Sequence, residues 1–346
     1  MTHPREPLLS VRHLKTHFPL DEGTVVAVDG ASFDLYPGQT LGIVGESGCG
    51  KSVAARSILG ILDKPGRIVE GEVWFRRRSD NGASGEAAGL GEPVDLAAFD
   101  PNGKEMRAIR GGEIALVFQE PMTSFSPVHT IGNQIIEAIL LHRDVTPKEA
   151  RASAIELLRQ VGIPVPEQRV DEYSFQLSGG LRQRAMIAMA LSCHPSLLIA
   201  DEPTTALDVT TQAQILDLMR QLQQDFGMAI MLITHDLGVV AEMADHVAVM
   251  YLGQVVESAP VDEIFHAPKH PYTQALLQSI PRMQSNVREH LASITGAVPH
   301  PYARPSGCPF HPRCPAFMPG TCDLNVPVLS SVDPHHNVSC FLYCEG

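Results

Sequence analysis

Short apolar runs bounded by glycine alternate with longer mixed stretches along the first three quarters of the chain. Residues 8–14 and 25–33 read as strands ahead of a turn at Tyr36-Pro37-Gly38. The run 40–44 is apolar and flanked by glycines, the pattern of a strand buried on both faces. A Gly-rich loop follows, and then 52–62, whose apolar content predicts a helix. Apolar runs at 114–118, 197–200, 229–233 and 247–250 predict further strands. Thr146-Pro147-Lys148-Glu149 reads as a helix start: Thr146 caps, Pro147 occupies the first turn and Glu149 closes a capping box. That helix should run to Val161 and stop at Gly162, and another over 181–193 should end before Pro195. Strands alternating with helices predict an α/β fold with a mostly parallel sheet, and the predominantly helical 120–180 predicts a separate lobe. Residues 76–93 are rich in Gly, Ala, Ser and Glu without periodicity, which predicts a surface insertion within about 76–108.

Composition changes this picture in three ways. A chain of 346 residues suggests two domains at ~150 residues each, and 44% hydrophobic with 19% charged residues excludes disorder over most of it. The charge sum, 26 − 39 = −13, lacks the basic footprint of a duplex-binding protein, so no nucleic-acid partner is expected. No apolar run approaches the ~18–20 residues that span a bilayer, and the charged, Pro-interrupted residues 1–15 do not read as a secretory signal. The expected compartment is the reducing cytosol. Five of the seven cysteines (Cys308, Cys314, Cys322, Cys340, Cys344) crowd the end of the chain, where prolines also concentrate.

Gly45-Glu46-Ser47-Gly48-Cys49-Gly50-Lys51-Ser52 fits the P-loop pattern between a predicted strand and helix. Its glycines let backbone N–H groups converge on phosphate oxygens, with the positive end of the helix dipole behind them. Lys51 is expected at the β/γ-phosphates and the Ser52 hydroxyl on Mg²⁺. Cys49 reads as a small side chain tolerated in the loop. A second apolar strand ends in Asp201-Glu202, where Asp201 suits the Mg²⁺ shell and Glu202 can polarise an attacking water.

Leu177-Ser178-Gly179-Gly180-Leu181-Arg182-Gln183-Arg184 resembles the signature sequence of ABC-type ATPases. Gln119, Ala206-Leu207-Asp208 and Thr234-His235-Asp236 resemble the Q-, D- and H-loops, in the family's order. The resemblance implies a RecA-like core with an antiparallel β subdomain and a helical subdomain (about 120–185), together forming a cassette over 1–260. It implies two cassettes pairing head to tail around ATP. Lys51, Ser52, Gln119, Asp201, Glu202 and His235 would then act in cis, and Ser178, Gly179 and Gly180 in trans. Glu202, His235 and Gln119 would be catalytic, with Gln119 also reaching Mg²⁺. An aromatic residue stacks on the base in that family; Phe18 is the candidate, with His17 second.

Three further stretches are similar to dipeptide and oligopeptide importer ATPases. They are Phe118-Gln119-Glu120-Pro121-Met122-Thr123-Ser124-Phe125-Ser126-Pro127, His270-Pro271-Tyr272-Thr273-Gln274-Ala275-Leu276-Leu277 and Gly307-Cys308-Pro309-Phe310-His311-Pro312-Arg313-Cys314-Pro315. Phe125-Ser126 and Leu181 depart from the residues more frequent in the family. The Pro-punctuated extension, 261–346, can bury little apolar surface, so a cross-link or metal would stabilise it. Soft thiolates in the cytosol leave Zn²⁺, with His311 as a further ligand, or an Fe–S cluster open, as well as no metal at all. The resemblance implies a 4Fe–4S cluster on Cys308, Cys314, Cys322 and Cys340, with Cys344 able to replace Cys340.

The expected function is ATP hydrolysis energising a peptide importer. The expected partners are a second ABC ATPase subunit (paralogue or self), two transmembrane permease subunits and, indirectly, a peptide-binding protein. The chain would sit at the cytoplasmic face of the inner membrane, docked through the Q-loop and 120–144. Nickel, glutathione or another small cargo is the nearer alternative, and a soluble ABC ATPase acting on nucleic acid or the ribosome the remote one.

Overall fold

The computed structural model describes residues 6–78, 90–119, 124–205, 207–279, 294, 296–300 and 302–343. In chain order its elements begin with β1 (Leu9–Leu20), β2 (Gly23–Leu35), β3 (Thr40–Val44), α1 (Lys51–Ile58), β4 (Arg67–Arg78) and β5 (Leu90–Asp95). There follow α2 (Lys104–Ile109), β6 (Ile114–Val117), α3 (Ile131–His142), α4 (Pro147–Gln160), α5 (Pro166–Arg169), α6 (Gly179–Ala190) and β7 (Leu197–Asp201). The rest is α7 (Val209–Phe226), β8 (Ala229–Ile233), α8 (Leu237–Met243), β9 (His246–Tyr251), β10 (Gln254–Pro260), α9 (Val261–His266), α10 (Pro271–Gln278), β11 (Ser330–Asp333) and β12 (His336–Val338).

The chain divides into two compact units. The first comprises Met1–Leu9, Leu35–Gln39 and Phe75–Ile233. Its strands β6, β7 and β8 are parallel, with Ile114 opposite Leu197 and Leu197 opposite Ala229. Every residue of β7 and β8 is buried, which is why both read as continuous apolar runs. The expected capping box is present: Thr146 accepts from the Glu149 N–H, and Glu149 accepts from the Thr146 N–H at 2.8 Å. The helix it opens stops where Gly162 turns to φ 74°.

The second unit comprises Ser10–Asp34, Thr40–Trp74 and Thr234–Gly346. Here β3 pairs in parallel with β9, and β9 continues antiparallel through β10 and β12 to β11. The last two strands belong to the Cys/Pro-rich stretch and carry no alternating pattern that would announce them. His336 locks them down: fully buried, it lies 2.7 Å from Glu257 and 2.9 Å from Glu263. The fully buried Glu257 side chain also accepts from the Lys269 and His270 N–H groups at 2.6 and 3.0 Å, so its oxygens are well satisfied.

Two boundaries differ from the sequence reading. The helix after the P-loop ends at Ile58 rather than 62, because Gly60 adopts φ 60° and breaks the repeat. The presumed insertion holds a strand, β5, whose Gly91 and Pro93 obscure any alternation.

Candidate functional site

The apolar β3 delivers the chain into the P-loop, and two glycines show why no side chain fits there. Gly45 has φ 150°, and a Cβ on it would lie 2.2 Å from the Met250 carbonyl oxygen. Gly50, at φ 101°, would meet the Ala27 carbonyl at 2.3 Å. A Cβ on Gly48, by contrast, would meet nothing within 4 Å, so that part of the loop faces open space. Gly50 caps α1, whose N-terminal N–H groups and dipole face the same loop. Lys51 is buried, its ammonium donating to the carbonyls of Gly45 at 2.7 Å and Glu46 at 3.1 Å. Ser52 is half-buried one position further along α1. Burial pushes the Cys49 thiol up, against the opposing pull of Lys51, so it is a neutral packing group.

Two more of the expected residues lie in this same unit. His235 is exposed at the end of the turn after β8, between Thr234 and the Asp236 that caps α8 through the Gly238 and Val239 N–H groups. Phe18, on β1, is half-buried with its ring against Gly66, where an added Cβ would come within 2.4 Å.

In the first unit, β7 ends in Asp201, which is buried, and Glu202, which is half-buried. Glu202 holds φ 47°, a left-handed backbone that costs a non-glycine residue of order 1 kcal/mol or more. Its N–H is tied to the Ile233 carbonyl at 2.8 Å, which holds the strained turn in place. The Glu202 carboxylate accepts from Gln119 Nε2 at 3.1 Å and from Thr205 Oγ1 at 2.8 Å. The structure thus brings two of the three expected catalytic side chains into direct contact. Ser178 caps α6, accepting from the Leu181 N–H at 3.4 Å, and Ser178 and Gly179 are exposed. The signature therefore presents a helix start to its surroundings. Asp208 caps α7 and Thr211 donates to it at 2.7 Å; Ala206 and 120–123 lie outside the described residues.

The tail bears on the P-loop in a way no motif disclosed. Arg313, whose side chain is only 4% exposed, donates to both carboxylate oxygens of Glu46 at 2.7 and 3.1 Å. Tyr272 accepts from the Glu46 N–H at 2.9 Å. Both residues stand in the stretches similar to the importer ATPases, but nothing in their spacing says that they face residue 46.

Cys308, Cys314, Cys322 and Cys340 line one small apolar cavity together with Phe310 and His311. Burial pushes the Cys308 and Cys314 thiols up, and Cys340 up to about 11. Such thiols are neutral until a cation takes their protons' place. The expected cluster is not supported, however: among the described residues no group of three or more His, Cys, Asp or Glu is arranged to hold a metal ion. Four thiols on one cavity supply the donor chemistry but not the coordination geometry. Cys344 lies outside the described residues.

Comparison with known proteins agrees with this anatomy. Residues 28–205 match the ABC transporter family, and residues 256–322 match the C-terminal region of oligopeptide/dipeptide transporters. The oligopeptide transport ATP-binding protein AppD of Bacillus subtilis is 49% identical over 98% of this chain and 97% of its own. The dipeptide transport ATP-binding protein DppD of Escherichia coli is 47% identical, covering 96% of each. Among solved structures, the ATP-binding cassette MJ0796, in a dimeric post-hydrolysis state bound to ADP and Pi, superposes on 73% of this chain and 98% of its own with a TM-score of 0.60 and 25% identity. With a P-loop, a Gln119–Glu202 pair and a capped signature helix in place, this chain belongs to the ABC transporter ATP-binding family and carries the oligopeptide/dipeptide transporter C-terminal region.

Proposed function

We propose that this chain is the ATP-binding and ATP-hydrolysing subunit of an importer for dipeptides or oligopeptides. The observation that carries the reading is the preformed P-loop, with Lys51 buried in it, in a chain whose near-full-length relatives are named for oligopeptide and dipeptide transport. Gly45, Glu46, Ser47, Gly48, Cys49, Gly50, Lys51 and Ser52 take the triphosphate, and Phe18 takes the base. Ser52, Asp201 and Gln119 would hold Mg²⁺ through the hard oxygen donors it prefers. Held there, the ion would neutralise charge on the phosphates. Glu202 accepts a proton from the attacking water, and Gln119 and Thr205 hold its carboxylate in aim. His235 contacts the γ-phosphate.

Ser178, Gly179 and Gly180 act on the ATP of a second cassette, a paralogue or another copy of this chain. The dimeric state named for MJ0796 supports this pairing. Clamping on ATP and release on hydrolysis then drive two permease subunits, which receive peptide from a binding protein. Attachment to the cytoplasmic face runs through the permeases; no helix among the described residues is long and apolar enough to cross a membrane. The docking surface includes Val128 and Leu141, 74% and 73% exposed near the two ends of α3. Beside Leu141 lies a cationic groove of about 770 Å³ lined by Arg77, Lys104, Arg107, Arg110 and Arg143.

The cassette extends over 1–260 and the extension over 261–346, a division supported by the second family match beginning at 256. A 4Fe–4S cluster would draw on Cys308, Cys314, Cys322 and Cys340, whose thiols line one cavity, although they are not arranged to hold a metal ion as they stand. The function is tested by reconstituting the chain with its permeases and partner ATPase in proteoliposomes. ATP-dependent peptide uptake supports it, and ATPase activity without peptide uptake overturns the cargo.

A further inference from the structure

Three features of the second unit converge on Glu46, the second residue of the P-loop. The first is ionic. The Arg313 guanidinium is almost wholly buried, and the bidentate Glu46 carboxylate at 2.7 and 3.1 Å is the acid paired with it. It also lies 5.9 Å from the centroid of the Tyr251 ring and donates toward the Tyr251 hydroxyl. This pairing holds the guanidinium's pKa above its ordinary value. Separating such a pair leaves a charge in a poorly hydrated place, which is far costlier than losing a surface ion pair.

The second feature is the backbone bond from the Glu46 N–H to Tyr272. The third is packing. Phe310 meets Tyr251 and Tyr272 edge-on, and the two tyrosine rings are tilted against each other, with centroids 4.7–5.4 Å apart. They share one core with Val44, the residue before the loop, and Cys308 and Cys314 pack against that core. Arg313 stands between Phe310 and Cys314 in sequence, so the cysteine-lined segment cannot unfold without releasing its hold on Glu46. A further link runs alongside: Arg304 pairs with Asp29 at 2.9 Å, the Asp29 N–H binds the Gly253 carbonyl, and the Gly253 N–H binds the Cys49 carbonyl.

We propose that Arg313 is a positioning residue for the phosphate loop: by holding Glu46 it keeps the loop in its phosphate-receiving shape and makes ATP affinity depend on the folded cysteine-lined segment. Arg313 itself touches no phosphate. The inference rests on the proposed role of the P-loop in binding ATP.

The test is a double-mutant cycle on the full chain, with Mg-ATP affinity measured by titration calorimetry for the wild type, Glu46→Gln, Arg313→Met and the double variant. Loosening the loop should cost each single variant about three- to tenfold in Kd, the ordering cost of one or two side chains. The double variant should be no worse than the weaker single one, because both remove one contact. In the assembled transporter the KM for ATP should rise by more than kcat falls, and Arg313→Lys should recover part of the loss. Folded single variants with wild-type Kd, or losses that simply multiply, overturn the inference. Should Arg313→Met fail to fold, Glu46→Gln alone decides, since it leaves the tail's side chains intact; wild-type affinity in that variant overturns the idea. A wild type that does not bind Mg-ATP overturns the proposed function instead, so the two failures are distinguishable.

Discussion

Gln119 Nε2 donates to Glu202 Oε2 over 3.1 Å, joining the end of the β6 segment to the strained turn after β7. The carboxylate is therefore held by two donors, Gln119 and Thr205, before any water reaches it. In its proposed role as base, a carboxylate held this way would take a proton without first having to be oriented.

Glu202→Gln keeps the side chain's length and the contact with Thr205 but removes the proton acceptor. Turnover of the assembled transporter should fall about 10²–10⁴-fold while ATP binding persists. Steady-state phosphate release alongside nucleotide titration checks both halves. Near wild-type turnover would remove Glu202 from the mechanism.

Leu141→Glu places a charge on a 73% exposed apolar position at the end of α3. Permease association, followed by co-purification from detergent extracts, should weaken. Nucleotide affinity of the isolated chain should stay at the wild-type value, because so exposed a side chain contributes little to the packing of the fold. Undiminished co-purification would move the docking surface elsewhere.

His246 gives stability a pH dependence of definite sign. Burial pushes its imidazole down to about 4; His335 and His336 push the same way, against Glu263 and Asp245, while its Nε2 lies 3.1 Å from the Ser258 hydroxyl. A folded-state pKa below the unfolded 6.5 means that the unfolded chain binds the extra proton. Stability from the neutral ring is thus fully present above pH 6.5 and is lost as pH falls toward 4, by up to about 3 kcal/mol. Thermal melts from pH 7.5 to 4.5 should show this loss, and His246→Asn should flatten the slope. An unchanged slope in that variant would assign the acid sensitivity to other groups.

Iron, acid-labile sulfide and zinc assays on anaerobically purified protein address the tail thiols. Four iron and four sulfide per chain would establish the 4Fe–4S reading of Cys308, Cys314, Cys322 and Cys340. One zinc without iron would replace it. A metal-free folded chain would leave the thiols as the apolar packing groups that their raised pKa values describe.

The chemistry of phosphate binding needs particular residues at short, fixed spacings, and that is why so much of the site is legible along the chain. Gly45 to Ser52, Asp201-Glu202 and the Ser178 helix start are local devices, each complete within one turn or strand end. Thr146 and Glu149 announce their helix for the same reason. The buried parallel strands β3, β7 and β8 show themselves as unbroken apolar runs. What no local pattern carries is the meeting of residues remote in sequence. Arg313 finds Glu46 across 267 positions, and His336 finds Glu257 across 79, because folding brings their elements together. Ion pairs of this kind leave no periodicity, and β5 and the β11–β12 hairpin leave too little of it to read. The family resemblance implies one site for four of the late cysteines, and Cys308, Cys314, Cys322 and Cys340 do line one cavity. Only the tertiary structure decided that the segment carrying them grips the phosphate loop, since that depends on which side of β9 and α10 the tail packs against, a matter of shape and burial rather than of sequence order.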